Sequence, residues 1–403
     1  MRTILVPTAL AALLCTSVVL AQEGAGAAAP RQGQGQGRRG QGNPNEQRIP
    51  GVPGSGPGAT PSAARSVPAE QNVALYKDPK WKAPRTSWGT PSLEGQWSVD
   101  DMRGIPTTRP AAFGTRDTLT QEEFLARARA QQGGDDRARQ TETFLRNEWG
   151  TRVFGFASLL VDPPNGQMPE LTAAAKAKAA NQKPQGTFSN AVFNTFDDFT
   201  LYDRCITRGI FGSVLPSIYG NGIRIVQGPN QVSITYEMIH DTRIIDLTPN
   251  KAKLDGDIKE YMGSARGHWE GDTLVVESTN FNGLVGAGGR GGASTKFKVT
   301  ERYRRVDPEM VEYRATVEDP ETYTAPFTYR VMFTKPPSKD YEVYEYSCHE
   351  GNGAVGHALS GERAYEKQVE EAKAKGLPIP KRGGNLYGAP EEGSRVFNIN
   401  AGE

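Results

Sequence analysis

Polar and apolar positions change their period along the chain. From Gly222 to Cys348 every second residue tends to be apolar, the two-residue repeat of strands with one buried face. Val232, Ile234, Tyr236, Met238 and His240 share one face of an extended run, and Ser233, Thr235, Glu237 and Asp241 share the other. Arg266 to Phe281 reads as a hairpin turning at Glu270-Gly271-Asp272. Thr295 to Asp319 reads as a second, turning at Asp307-Pro308-Glu309, with Phe297, Val299, Glu301, Tyr303, Val311, Tyr313, Ala315 and Val317 inward. Its outward Lys298, Arg302 and Arg304 oppose Glu312 and Glu318 in charge. Pro326 to Thr334 and Tyr341 to Cys348 complete a meander.

Elsewhere the period is helical. Thr120-x-x-Glu123 is a capping box that opens a helix to about Gln131. Thr172 to Gln182 is a short Ala/Lys-rich helix ended before Pro184. Ser360 is placed to cap a surface helix to about Lys375, stopped by Gly376. The predicted fold is mainly β: an antiparallel meander forming a lipocalin-like barrel or curved sheet, with a helical and extended N-terminal wrap and a C-terminal helix.

Composition sets the organisation around this core. The 403 residues contain 46 Gly and 28 Pro, together about 18% against a usual 12% or so. Residues 22–70 are low-complexity, with almost no aromatic or branched side chain to offset the cost of ordering, and read as a disordered linker. Its arginines (Arg31, Arg38, Arg39, Arg48, Arg65) are either solvated or face an anionic envelope or glycan. Residues 71–200 are the wrap, 201–360 the barrel or sheet, and 361–403 the C-terminal helix and tail. Residues 1–21 have the plan of a signal peptide: Arg2, an apolar run from Ile4 to Leu20, and small residues before Gln22. They predict a periplasmic or extracellular protein with no membrane span after cleavage. With 47 Lys+Arg against 46 Asp+Glu, the net charge of +1 argues against nucleic acid as partner.

Export gives the cysteines a meaning. Cys15 leaves with the leader, and Cys205 and Cys348 remain as a pair, which an oxidising compartment favours as a disulfide. Closing a loop of about 143 residues stabilises by on the order of 4–5 kcal/mol in the chain-entropy model. Bonded, the pair would bring Asp203-Arg204-Cys205-Ile-Thr207-Arg208-Gly209 against Ser347-Cys348-His349-Glu350-Gly-Asn352. Arg204, Arg208, His349 and Glu350 would then gather at one rim, as a ligand-binding set or as a solvated ion-pair network.

Other chemistry is sparse. Gly286-Ala-Gly288-Gly-Arg-Gly291 has the letters of a dinucleotide fingerprint, but a strand follows it where that motif needs a helix, so it reads as a mobile hairpin loop and no nucleotide cofactor is expected. The four histidines (His240, His268, His349, His357) have no zinc-motif spacing, and no metal is assigned. Two polar residues fall on the apolar face. His240 is either a core histidine bonded to a backbone carbonyl, with Asp241 and Arg243 paired outside, or a base beside a pocket. Glu301 is either turned outward by a single β-bulge or a buried acid that must be paired or protonated, and a protonated Glu is a candidate general acid.

These segments together resemble a family of exported bacterial proteins abundant in soil groups such as the acidobacteria. The matching runs include Thr86-Ser-Trp-Gly-Thr-Pro-Ser-Leu-Glu-Gly-Gln-Trp97, Leu160-Val-Asp-Pro-Pro-Asn-Gly166, Arg204-Cys-Ile-Thr-Arg-Gly209, Glu237-Met-Ile-His-Asp-Thr-Arg243, Gly267-His-Trp-Glu-Gly-Asp-Thr-Leu-Val-Val276 and Tyr346-Ser-Cys-His-Glu-Gly-Asn352. The resemblance spans about Lys80 to Glu366 and brings no catalytic residue with it, since no activity is established for that family. Gly95-Gln-Trp97 is also similar to the G-x-W of lipocalin-like barrels. The function expected is a pocket protein binding or processing a small polar or sugar-like ligand. His240, Glu301 and His349 are the candidates for acid–base elimination or hydrolysis, and Arg204, Arg208, Arg243 and Glu350 for binding. The alternative is a non-catalytic envelope-associated structural or interaction protein.

Overall fold

The computed structural model describes residues 78, 80–127, 152–186, 189, 191–217, 219–249, 256–287, 293–336 and 340–382, and the statements below concern these. The expected leader, the low-complexity linker, positions 288–292 of the glycine-rich loop and the tail from 383 lie outside them.

Ten strands form: β1 (Gly95–Ser98), β2 (Leu160–Asp162), β3 (Gly222–Gly228), β4 (Gln231–Tyr236), β5 (Thr242–Asp246), β6 (Ser264–Glu270), β7 (Thr273–Thr279), β8 (Lys298–Asp307), β9 (Met310–Glu318) and β10 (Phe327–Thr334). Nine close into a barrel in the order β1-β3-β4-β5-β6-β7-β8-β9-β10, with β1 meeting β10 through Ser98 and Thr334. β2 lies on the free stretch of β10. Strand alternation builds the core. The inward side chains Trp97, Ile223, Ile225, Val232, Ile234, Ile245, Leu274, Val276, Val299, Val317, Val331 and Phe333 are all buried in one cluster. Burying each Val, Ile or Phe stabilises by about 1.5–3 kcal/mol.

Both predicted hairpins form at the expected turns. Gly271, at φ +58°, takes the left-handed conformation that a two-residue turn between β6 and β7 requires. Glu301 points inward as its register implies. The outward charges pair across strands: Lys298 Nζ lies 3.4 Å from Glu318, and Arg302 bonds Glu270 on β7's other neighbour, β6.

Four features differ from the sequence reading. One pair, β5 with β6, is parallel, with Asp246 and Arg266 as its register partners. β4 stops at Tyr236, so Met238 and His240 belong to a turn and His240 is exposed. Tyr341 to Cys348 is irregular: β1 and β10 each have partners on both sides, and the closed wall offers this segment no edge. The last helix starts well before Ser360.

The described helices are α1 (121–127), α2 (Ala173–Asn181), α3 (Gly209–Val214) and α4 (Ala354–Ala374). The capping box forms at α1, where Thr120 N–H donates to Glu123 and Glu123 N–H returns to Thr120 Oγ1. Thr172 caps α2, a role not assigned from the sequence, and Gly376, at φ +63°, ends α4 as expected. In α3 five of six residues are buried, and Phe211 packs into the barrel core, its ring tilted against that of Tyr329 at 5.2 Å. Leu119, Phe124, Val153 and Ala157 form a second, smaller core in the wrap. Arg330 on β10 ties the wrap to the wall, 3.2 Å from Asp117 and 3.9 Å over the Phe156 ring.

Candidate functional site

Two polar centres stand out, one inside the barrel and one at its rim. Inside, Arg243 and Glu301 form a two-point ion pair: Nη1 lies 2.9 Å from Oε1 and Nη2 2.6 Å from Oε2. Tyr303 and Tyr313 donate their hydroxyls to Oε1 at 2.7 and 3.0 Å, while Arg243 donates to Ser278 Oγ at 2.8 Å and to Tyr236 Oη at 3.3 Å. Every member is buried. Burial opposes the Arg243 cation, but the charge of Glu301 more than offsets it and holds the guanidinium pKa well above its ordinary value. Burial raises all three phenols, Tyr236 to about 12. Tyr303 and Tyr313 are fixed donors to Glu301, and Tyr236 accepts from Arg243.

The sequence reading placed Arg243 outside, paired with Asp241. The turn after β4 resets the phase, so that Arg243, opposite Ile234, faces inward. Asp241 instead accepts a short hydrogen bond from the Thr207 hydroxyl.

The rim is assembled by the disulfide. Cys205 and Cys348 are bonded, with Cα atoms 5.7 Å apart, as expected from the sequence. The bond joins the segment entering α3 to the irregular strip 340–348. Side chains hold that strip in place of a strand ladder: Val343 N–H donates to Gln96 at 2.7 Å, Tyr341 Oη donates to Glu237 at 3.2 Å, and His240 Nδ1 donates to the Tyr346 carbonyl at 2.8 Å. A carbonyl only accepts, so His240 carries its proton on Nδ1, and in its neutral form the ring offers Nε2 as an acceptor at the surface.

The backbone here is strained. Among the described residues four non-glycines have positive φ, and three are at this rim: Cys205 (+55°), Ile239 (+66°) and His240 (+50°). Each costs about 1–2 kcal/mol, and Ile239, being β-branched, is the most unusual. The surroundings compel the turn, since Gly222 N–H donates to Glu237 at 2.9 Å and Tyr236 N–H donates to the Asp241 carbonyl at 2.9 Å. Burial raises the pKa of both Glu237 and Asp241, against the hydrogen bonds that stabilise their charged forms. Strain of this kind persists where the fold over-determines a conformation, which marks the turn as a candidate site.

No family model matches the chain, and no curated protein matches it. The site is therefore described from its own geometry.

The structure gathers some of the expected residues and separates others. Arg208, His349 and Glu350 flank the disulfide, and His349 and Glu350 are exposed. Arg204 stands beside them in sequence but turns to Asp197, at 3.2 Å, and to the Phe196 ring. His240 is at the rim, whereas Glu301 and Arg243 are sealed in the interior. Three residues not singled out from the sequence complete the rim. The Tyr202 and Tyr219 hydroxyls are 3.2 Å apart, and the Tyr346 phenol acts on both. Arg208 lies 5.5 Å over the Tyr202 ring, and Tyr344 stands 66% exposed beside Tyr341. The run Asp340-Tyr-Glu-Val-Tyr-Glu-Tyr346 carried this signal, three tyrosines in seven residues, but its apolar alternation reads equally as a strand. Among the described residues no cluster of three or more His, Cys, Asp and Glu is placed to hold a metal ion, and no helix is long and apolar enough to cross a membrane.

Proposed function

We propose that the protein is an exported, non-catalytic binding protein whose disulfide-gathered rim takes a small polar, sugar-like ligand. The observation that carries this reading is the convergence of a strained turn, a strip pinned by side chains and a tyrosine cluster on one disulfide. Phenol rings and hydroxyls, an outward imidazole nitrogen and a guanidinium supply apolar faces together with donors and acceptors, which a polyhydroxylated ring requires. Export rests on the leader-like first 21 residues and on the disulfide.

Acid–base turnover by Glu301 together with His240 is left out of this reading. It needs a carboxyl and an imidazole at one reacting atom, and here the barrel wall divides Glu301 from His240. A second reading, an envelope-associated structural or interaction protein, is favoured by the apolar packing and the buried ion pair that occupy the interior.

A thermal-shift screen of the oxidised full chain against neutral sugars, sugar acids and aromatic acids separates the two. The binding reading expects a raised midpoint with at least one sugar class, and loss of that shift in Tyr344→Ala and His240→Ala. A screen in which nothing moves the midpoint leaves the structural reading.

A further inference from the structure

The phenol cluster differs from an ordinary polar rim in its balance of donors. The Tyr202 and Tyr219 hydroxyls lie 3.2 Å apart, and the Tyr346 phenol is near enough to both to act on them. Each phenol carries a single proton, which it donates to a neighbour or turns outward to an acceptor. Burial pushes the Tyr346 phenol up to about 12 and the Tyr202 phenol higher still, so both remain O–H donors at neutral pH. Arg208 lies over the Tyr202 ring, and its charge also acts on Tyr346. A guanidinium and several neutral hydroxyls at one place form a site for a group that is anionic and only accepts hydrogen bonds.

The rest of the rim limits what can carry that anion. Glu345 and Glu350 are exposed close by in sequence, which disfavours a multiply charged ligand such as a phosphate ester and leaves room for a single charge. Tyr344 presents an open ring face and His240 an outward nitrogen, partners for the ring and hydroxyls of a saccharide. Resting on the rim-binding reading above, we infer that the ligand is an acidic sugar, a uronate whose carboxylate is read by the Tyr202–Tyr219–Tyr346 hydroxyls and Arg208 and whose ring lies toward Tyr344.

Calorimetric titration of the oxidised full chain with glucuronate and, separately, with glucose tests this. Glucuronate is expected to bind more tightly than glucose. Tyr219→Phe, which removes one hydroxyl and keeps the ring, and Arg208→Gln should each weaken glucuronate by about tenfold or more, as loss of a charge-assisted hydrogen bond does, and leave glucose unchanged. Equal binding of the two sugars, or glucuronate binding untouched in Tyr219→Phe, overturns the carboxylate assignment while leaving the rim as a sugar site. Absence of binding by both sugars, in a preparation whose mass shows the disulfide intact, overturns the assignment and the rim reading together. Thermal midpoints of the variants within a few degrees of the parent exclude misfolding as the cause of a loss.

Discussion

Arg243 and Glu301 face each other across the barrel interior at 2.6 and 2.9 Å, while His240, three positions before Arg243, is exposed at the rim. The strained turn between β4 and β5 produces this division. Ile239 and His240 in left-handed backbone reverse the chain within four residues, and the strand that leaves the turn has the opposite phase to a straight continuation. One side of the turn becomes core chemistry and the other becomes surface chemistry.

The interior pair has an asymmetric energetic signature. Arg243→Met leaves Glu301 buried without its cation and should cost about 3–5 kcal/mol, measured by urea unfolding. Combining it with Glu301→Leu removes both charges and should recover much of that loss. A single substitution costing under about 1 kcal/mol, or a double mutant no better than the single, would show that the pair does not hold the barrel.

Breaking the disulfide should lower stability by on the order of 4–5 kcal/mol in the chain-entropy model, in reductant or in Cys205→Ser with Cys348→Ser. Intact mass after alkylation should find neither cysteine reactive before reduction and both reactive after it. Thiols that alkylate in native material would remove the link between the α3 entry and the strip.

His240→Gly separates strain from recognition. Relief of the positive φ gains about 1 kcal/mol, and loss of the hydrogen bond to Tyr346 costs about as much, so stability should change little. The ligand-induced thermal shift should disappear. A variant that keeps the shift takes His240 out of the binding surface.

Glu237 and Asp241 give the rim a pH dependence. Burial raises both pKa values in the folded protein above their ordinary 4.5 and 3.8. The folded state therefore holds these protons longer than the unfolded chain, and the stability they contribute is complete below the ordinary carboxylate range. It is lost as pH rises through the folded values. In thermal melts from pH 4 upward, Glu237→Gln should show a smaller decline with rising pH than the parent. Parallel curves would mean that Glu237 is not held protonated by burial.

Gly209 has φ +70° and stands where a Cβ would come 1.9 Å from Val285 Cγ1. Gly209→Ala should cost about 2–4 kcal/mol through overpacking and backbone strain together, and Val285→Ala should restore part of it. An unaffected melting curve would show that α3 is not seated against this loop.

Much of the barrel was legible along the chain. The hairpins turning at Gly271 and at Pro308, the inward Glu301 and the cap at Thr120 depend on neighbours a few residues apart, where periodicity and turn chemistry act. The cysteine pair was readable too, because once Cys15 is set aside with the leader-like segment each remaining thiol has one partner.

Closure was decided elsewhere. Nothing in a two-residue repeat says that β1, over a hundred positions before β3, completes the wall, or that β5 and β6 run parallel. Nor does it say that two residues will turn left-handed and exchange the places of His240 and Arg243. Local pattern determines which residues alternate. It cannot determine their phase past an irregular turn, because the hydrogen bonds that compel the turn, from Gly222 to Glu237 and from His240 to Tyr346, come from segments that only the folded chain brings near.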